Sequence, residues 1–344
     1  MAVTLKRIAE HCGLSAQTVG YILNGKADLF RPETRDKVLA AASELGYRPN
    51  AAAKAMRSGR FGCAALVLST QPGRSSLFPS FLAGVDDELA KTGMHLAHAP
   101  LADERLTDSG FVPKILSQVM ADGLLINYNA AIPVELIEAI KRHRIPAVWI
   151  NSQQPHNCVY PDDLGAGRQA TEHLLSLGHQ RIAYVDYSYG SARPAAHYSA
   201  HDRLGGYEQA MRSAGLAPRV IRAPQGLSGE QRLPAVLAWL KAADRPTAVV
   251  TYSPRDALPI LHAATAVLRL RVPQDLSLVT IEDFVADQSG VALTTVIIPR
   301  YELGQVAVQM LLERIADPRR ELAPRALPCR LVVGETTGAP AQGS

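Results

Sequence analysis

Ala16, Gln17, Gly20 and Tyr21 are the side chains of this sequence best placed to touch the edge of a base. In a helix opened by Ser15 they share one face, opposite Val19, Ile22 and Leu23. Glutamine can donate and accept at once in a major groove, and tyrosine adds a hydroxyl or a packing surface. The charge agrees with that chemistry. Residues 1–60 hold ten Lys and Arg against five Asp and Glu, whereas the whole chain carries only +4. A basic excess confined to one small module suits phosphate contact better than a general gain in solubility.

A second group of polar residues closes apolar runs farther along. Ser69 follows Cys63 to Leu68, Asn127 ends Gly-Leu-Leu-Ile-Asn, and Asn151 ends Pro-Ala-Val-Trp-Ile-Asn. Polar side chains at strand ends suit hydrogen bonding to a small molecule in a crevice. Patterns that would suit catalysis fare worse. Gly165-Ala-Gly167-Arg-Gln-Ala170 has dinucleotide-fingerprint spacing but follows Pro161-Asp162-Asp163 instead of a strand, so it reads as a helix start. His95 and His98 lie on or near a strand, His197 and His201 in a Ser/Ala/Tyr-rich loop, and His173 and His179 around a helix end. The sequence has no His-Glu-x-x-His, Gly-x-Ser-x-Gly or Gly-Lys-Ser/Thr motif. No catalytic residue, metal ligand or cofactor is expected, and the reading is not an enzyme.

The elements that must position these groups begin at Thr4, an N-cap for a helix whose buried face is Leu5, Ile8, Ala9 and Cys12. Gly13 stops that helix and Ser15 caps the next, Ala16 to Leu23. Two short helices around a tight turn predict a helix-turn-helix. Asn24-Gly25 is a turn, and Pro32 opens a third helix that ends at Leu45 before Gly46. Ala51 to Met56 favours helix but is too short to hold one alone in water. It is expected to wind only when docked, with Met56 as an apolar wedge for a minor groove.

Beyond Arg60, short apolar runs alternate with amphipathic segments, the pattern of parallel sheets with helices on both faces. With 344 residues and 47% apolar composition, more than one domain is expected. The first doubly wound unit closes with a strand from Ala147 to Ile150, and the second opens with a helix from Gly167 to Leu177. No apolar run is long enough to span a membrane, and the first residues are a basic helix cap, so a cytoplasmic protein is expected. Cys12, Cys63, Cys158 and Cys329 lie far apart and read as reduced, buried thiols.

The succession Val3-Thr4-Leu5-Lys6, Gly13-Leu14-Ser15, Thr18-Val19, Leu23-Asn24-Gly25-Lys26, Pro32-Glu33-Thr34-Arg35, Leu45-Gly46-Tyr47-Arg48-Pro49-Asn50 and Arg57-Ser58-Gly59-Arg60 resembles the headpiece and hinge of the lactose-repressor (LacI/GalR) family. The resemblance implies a homodimer, or a tetramer, on a pseudo-palindromic double-stranded DNA operator. Ala16, Gln17 and Tyr21 then read base edges, while Asn24, Thr34, Tyr47 and Asn50 position the backbone. Met56 takes the place of the usual leucine wedge, and Thr4, Leu5, Ser15, Thr18 and Ala53 complete the DNA-binding set. It further implies an α/β sensor of two doubly wound parallel-sheet subdomains, periplasmic binding protein-like, preceded by the small all-α helix-turn-helix domain. The expected division is 1–46 headpiece, 47–61 hinge helix and linker, 62–161 plus 291–323 first subdomain, 162–290 plus 324–338 second subdomain, and 339–344 loose tail.

Between the subdomains the resemblance implies a small-molecule effector, a sugar or sugar derivative. Phe78 falls where the family stacks an aromatic on its ligand, and Arg203, before Leu-Gly-Gly-Tyr, takes the place of an effector-contacting arginine. Three departures stand out. Gly20-Tyr21 replaces Ser-Arg, the loop Ala27 to Arg31 is one residue longer, and Tyr252-Ser253-Pro254 replaces Asn-Asp. Asp256, or Glu282 with Asp283, could make up the lost acceptor beside Ser253. An Arg203 without an acidic partner would favour an anionic ligand. The expected function is a ligand-controlled repressor, with an activator or dual regulator of carbohydrate genes as the alternative. A solute-binding protein or a sugar-modifying enzyme fits less well. Met56→Ala is expected to weaken specific DNA binding much more than non-specific binding in titrations of both duplex types, and equal losses would reduce Met56 to a packing role.

Overall fold

A helix of two turns survives only if its orphan end groups are capped, and the first helices of this chain are. In the computed structural model, which describes residues 3–49, 55, 59–71, 73–102, 115, 120–129, 132–187, 197–223, 227–282 and 290–341, the chain divides into Met1–Phe61 and Gly62–Ser344. In the first unit, α1 (Leu5–Cys12) starts where the Thr4 hydroxyl accepts from the Arg7 N–H, and it ends at Gly13 with φ 64°. The Ser15 hydroxyl caps α2 (Ala16–Leu23) by accepting from the Thr18 N–H. Pro32 opens α3 (Pro32–Glu44) after a single 3₁₀ turn at Ala27–Leu29. Ile8, Val19 and Val38, one from each helix, are fully buried and meet at the centre. The three expected helices are therefore present.

The second unit holds two six-stranded sheets. One is built from β1 (Cys63–Ser69), β2 (His95–Leu101), β3 (Gly123–Asn127), β4 (Ala147–Ile150), β5 (Cys158–Pro161) and β11 (Arg325–Leu327), in the order β2-β1-β3-β4-β5-β11. The other takes β6 (Ile182–Asp186), β7 (Arg219–Arg222), β8 (Ala248–Thr251), β9 (Ser277–Ile281), β10 (Thr294–Ile297) and β12 (Arg330–Val332), in the order β7-β6-β8-β9-β10-β12. Among the described residues only the β10–β12 pair is antiparallel. The helices are α4 (Pro79–Ala90), α5 (Val134–His143), α6 (Asp163–Ser176), α7 (Ser199–Ser213), α8 (Gly229–Leu240), α9 (Pro254–His262) and α10 (Arg300–Ala316). Strands such as β3, β6 and β9 are buried along their whole length, as parallel strands covered on both faces must be. Cys12, Cys158 and Cys329 are buried thiols and Cys63 is half-buried, none of them paired. No helix among the described residues is long and apolar enough to cross a membrane.

The structure corrects three expectations. Strand β5 directly precedes Asp162, so the Gly165-to-Ala170 stretch does follow a strand, although Asp162 caps α6 through the Gly165 N–H and the helix start stands. Four residues with a terminal proline had too little pattern to be read as a strand. The tail also divides differently. Strand β10 pairs with β9 in the second sheet, although 291–323 was assigned to the first subdomain, and β11 pairs with β5 in the first, although 324–338 was assigned to the second. Helix α10 packs against β3, β4 and β5, and β12 pairs with β10. An apolar run signals burial but not which sheet edge receives it. The sequence pattern also predicts a helix from Val112 to Met120, a stretch that falls almost wholly outside the described residues.

In each half, two helices touch backbone to backbone through glycine. A Cβ on Gly84 would lie 2.0 Å from the Tyr301 carbonyl oxygen, and one on Gly304 would lie 2.4 Å from that of Phe81, so α4 and α10 meet there. Helices α6 and α7 repeat the device with Gly167 against the Arg203 carbonyl and Gly206 against that of Leu164, both at 2.0 Å. Gly167→Ala is expected to cost about 1 to 3 kcal/mol by forcing these helices apart. A lowered urea midpoint would register the loss, and an unchanged midpoint would show that the contact yields freely.

Candidate functional site

The carboxyl ends of both sheets open onto one cavity of about 730 Å³, a volume suited to a small molecule. Asn127 and Asn151 reach it from the ends of β3 and β4, Tyr252 and Ser253 from the end of β8, and Glu282 from the end of β9. Two of these residues hold left-handed backbone, Asn151 at φ 52° and Glu282 at φ 88°. Asparagine tolerates this region and glutamate does so at a cost, so the strain sits at the cavity wall.

Arg203 on α7 is the most committed side chain there. It is 3% exposed, and donates from Nε to Asp163 at 2.6 Å, from Nη1 to the Tyr252 carbonyl at 2.7 Å and from Nη2 to Glu282 at 3.0 Å. Burial opposes its charge, but Asp163, Tyr252 and Glu282 outweigh that and raise its pKa further. The expectation of an arginine without an acidic partner is therefore overturned. Asp163, at the start of α6, was the missed counterpart. Glu282 passes the pairing on to Arg300, whose Nη2 lies 3.0 Å from it and whose guanidinium rests 3.9 Å from the centre of the Phe78 ring.

Opposite these charges runs a neutral relay. His197 donates from Nε2 to the Asn151 carbonyl at 2.8 Å, which leaves Nδ1 to accept from the Ser199 hydroxyl at 2.7 Å, and Ser199 in turn meets the Tyr252 hydroxyl at 2.8 Å. Asn127 is 2% exposed and gives its amide N–H to the Ser76 carbonyl, while its Oδ1 has no hydrogen-bond partner among the described residues. A buried acceptor left open at a cavity calls for a donor from whatever fills it.

Of the nine residues expected at the ligand site, Phe78, Asn127, Asn151, Arg203, Ser253 and Glu282 line the cavity. Ser69 does not, because its hydroxyl accepts from the Gln71 N–H in a turn beside it. Asp256 lies fully buried behind the wall, 3.4 Å from Arg232 and bonded to Ser253. Asp283 lies outside the described residues. Arg232, Arg255, Arg300, Tyr252 and His197 also line the cavity and were not singled out for it. Arg300 follows an apolar strand, so the strand-end rule that found Asn127 could have found it.

In the headpiece, Ala16, Gln17 and Tyr21 lie exposed on α2, with Tyr21 41% exposed. Ser15 and Thr18 are spent on the cap, and Asn24 closes α2 by donating to the Gly20 carbonyl. Thr4 is exposed, whereas Leu5 and Tyr47 pack partly into the core and Thr34 sits half-buried in the first turn of α3. Asn50, Ala53 and Met56 lie outside the described residues.

Comparison with known proteins supplies a context for both sites. Residues 4–50 match the model of bacterial regulatory proteins of the lacI family, and residues 171–337 match a periplasmic binding protein-like domain. A LacI family transcriptional regulator from Mycobacterium smegmatis is 30% identical in structure-based comparison, with TM-score 0.61 over 80% of this chain and 99% of that one. The lac repressor dimer bound to operator and the anti-inducer ONPF has TM-score 0.78 at 26% identity, over 98% of this chain and 100% of its own. The regulator CelR in complex with cellobiose has TM-score 0.65 at 26% identity, over 97% and 99%.

Burial holds His197 below the usual histidine range, and does the same to His173 and His179. The unfolded chain therefore binds protons near pH 6.5 that the fold refuses, so stability is full above that pH and falls as the pH drops below it. The urea midpoint is expected to be lower at pH 5.5 than at pH 7.5, and His197→Gln to narrow the gap. A gap untouched by that change would mean that His197 takes up its proton without loss.

Proposed function

Because the chain belongs to the LacI family of bacterial regulatory proteins, we propose that it is a transcriptional regulator, a repressor, whose operator affinity is set by a small molecule bound in the larger unit. The observation that carries this reading is the headpiece, where a capped helix presents Gln17 and Tyr21 to solvent on a basic module. Its relative, the lac repressor, is bound to operator as a dimer, which supports a homodimer on a pseudo-palindromic duplex here. A regulator that activates, or does both, differs only in where the operator lies and remains the second reading. No catalytic role is assigned.

The cavity supports a hydroxyl-rich ligand, a sugar or sugar derivative. Phe78 and Tyr252 offer rings, Asn127 an open acceptor, and Glu282 a carboxylate already neutralised by two arginines. With Arg203 fully engaged, its charge no longer argues for an anionic ligand. The cellobiose bound by CelR supports the same class. Ligand binding draws the two halves together, and the start of β1, two residues after Phe61, transmits the shift to the segment before it. A coupling of about 1 to 3 kcal/mol suffices for control.

Mobility-shift titrations of the full chain on the upstream region of its own gene, with cellobiose and a panel of neutral and acidic sugars, test this. A specific complex is expected, changed about fivefold or more by one sugar, with Phe78→Ala keeping the complex and losing the response. A protein that holds no duplex more tightly than random sequence at moderate salt, with every sugar tried, would end the proposal.

A further inference from the structure

The outward side of α2 carries two stripes one helical turn long. Ala16 and Gly20 form a bare one, and Gln17 and Tyr21 form a polar one in which the glutamine Nε2 donates to the tyrosine hydroxyl at 3.2 Å. The tyrosine is itself held. Its ring lies 6.5 Å from that of Phe30 at 28°, and the Lys26 ammonium sits 5.3 Å from its centre. Both partners come from the connection between α2 and α3. Gly20 has no packing reason to be glycine, since an added Cβ would meet only Leu5 Cδ1 at 3.8 Å, an ordinary contact. A helix interior loses stability to glycine, so the bare stripe is kept against the preference of the helix itself.

We propose that this face selects an adenine–thymine pair in each operator half-site, with Gln17 bonded to the adenine and a thymine 5-methyl of that pair or its neighbour against Ala16 and Gly20. This rests on the DNA-reading role proposed above. With one amide N–H tied to Tyr21, Gln17 has one N–H and one oxygen left to present. Adenine shows N7 to accept and N6–H to donate, which matches that pair. Guanine shows two acceptors, O6 and N7, so the Gln17 oxygen would face an acceptor. Tyr21 thus positions Gln17 and sets its choice between purines, and Phe30 and Lys26 position Tyr21. The bare stripe leaves room for a methyl that cytosine lacks.

Selection of bound sequences from a random duplex library by the full chain and by Tyr21→Phe tests this. The wild-type chain is expected to enrich adenine over guanine about tenfold or more at one position per half-site, and Tyr21→Phe to bring that ratio below about threefold. Replacing the thymine of that pair and any thymine of the pair beside it by deoxyuridine should weaken wild-type binding about threefold. Tyr21 is 41% exposed and the change removes only its hydroxyl, so the variant keeps its fold, which a thermal melt checks. Guanine at that position, or an adenine preference untouched by Tyr21→Phe, would overturn the inference and leave the DNA-reading role standing. Enrichment of no sequence at all would overturn both.

Discussion

The sensor half of this molecule depends on one close approach, the meeting of α6 and α7 at Gly167. With no Cβ in the way, the α7 backbone at Arg203 lies directly on α6, and the guanidinium can reach Asp163 one turn earlier on the same partner. From there the order of the cavity propagates through polar contacts. Arg203 fixes the end of β8 through the Tyr252 carbonyl and Glu282 at the end of β9, and Glu282 fixes Arg300. Arg300 opens α10, which is held against α4 by the second glycine pair. A buried ion pair adds little net stability, because desolvation offsets most of its attraction. Its value here is geometric, since each charge has one place where it is satisfied.

Two of the ties between the halves differ in kind. On one side, Glu282 and Arg300 join the second sheet to α10, which packs on the first. On the other, His197 joins the start of α7 to the Asn151 carbonyl at the end of β4. The first is ionic and partly exposed at Glu282, the second neutral and buried. Any opening of the halves must break a charge pair or strip a histidine of its acceptor. The left-handed backbone at Asn151 and Glu282 lies at the same two ties.

How much of this could be read beforehand follows from the range of the interactions. The headpiece was legible almost residue by residue, because Thr4, Gly13 and Ser15 act within four positions of themselves. The sheets were legible as apolar runs, and the strand-end rule located Asn127 and Asn151. What escaped was set by distant partners. The pairing of Arg203 with Asp163 spans forty residues, and that of Arg300 with Phe78 more than two hundred. Strands β5 and β11 were too short to show a period, and they pair with each other only after the chain has crossed between halves. The lost acceptor at Ser253 was expected to be made up by Asp256 or by Glu282 with Asp283. Glu282 lines the cavity, while Asp256 is turned toward Arg232.

The crossing of the tail has a consequence for how such a chain can be cut or recombined. Because β10 belongs to one sheet and β11 to the other, the strands nearest the C-terminus complete both halves. A stop codon anywhere between residues 163 and 290 would strip an edge from the first sheet as well as truncating the second. Neither half exists as a continuous stretch of gene, so the sensor can be inherited, exchanged or grafted only whole. The junction near Phe61, where one unit of the chain gives way to the other, is the seam at which a new reading head could be joined without unpairing a strand.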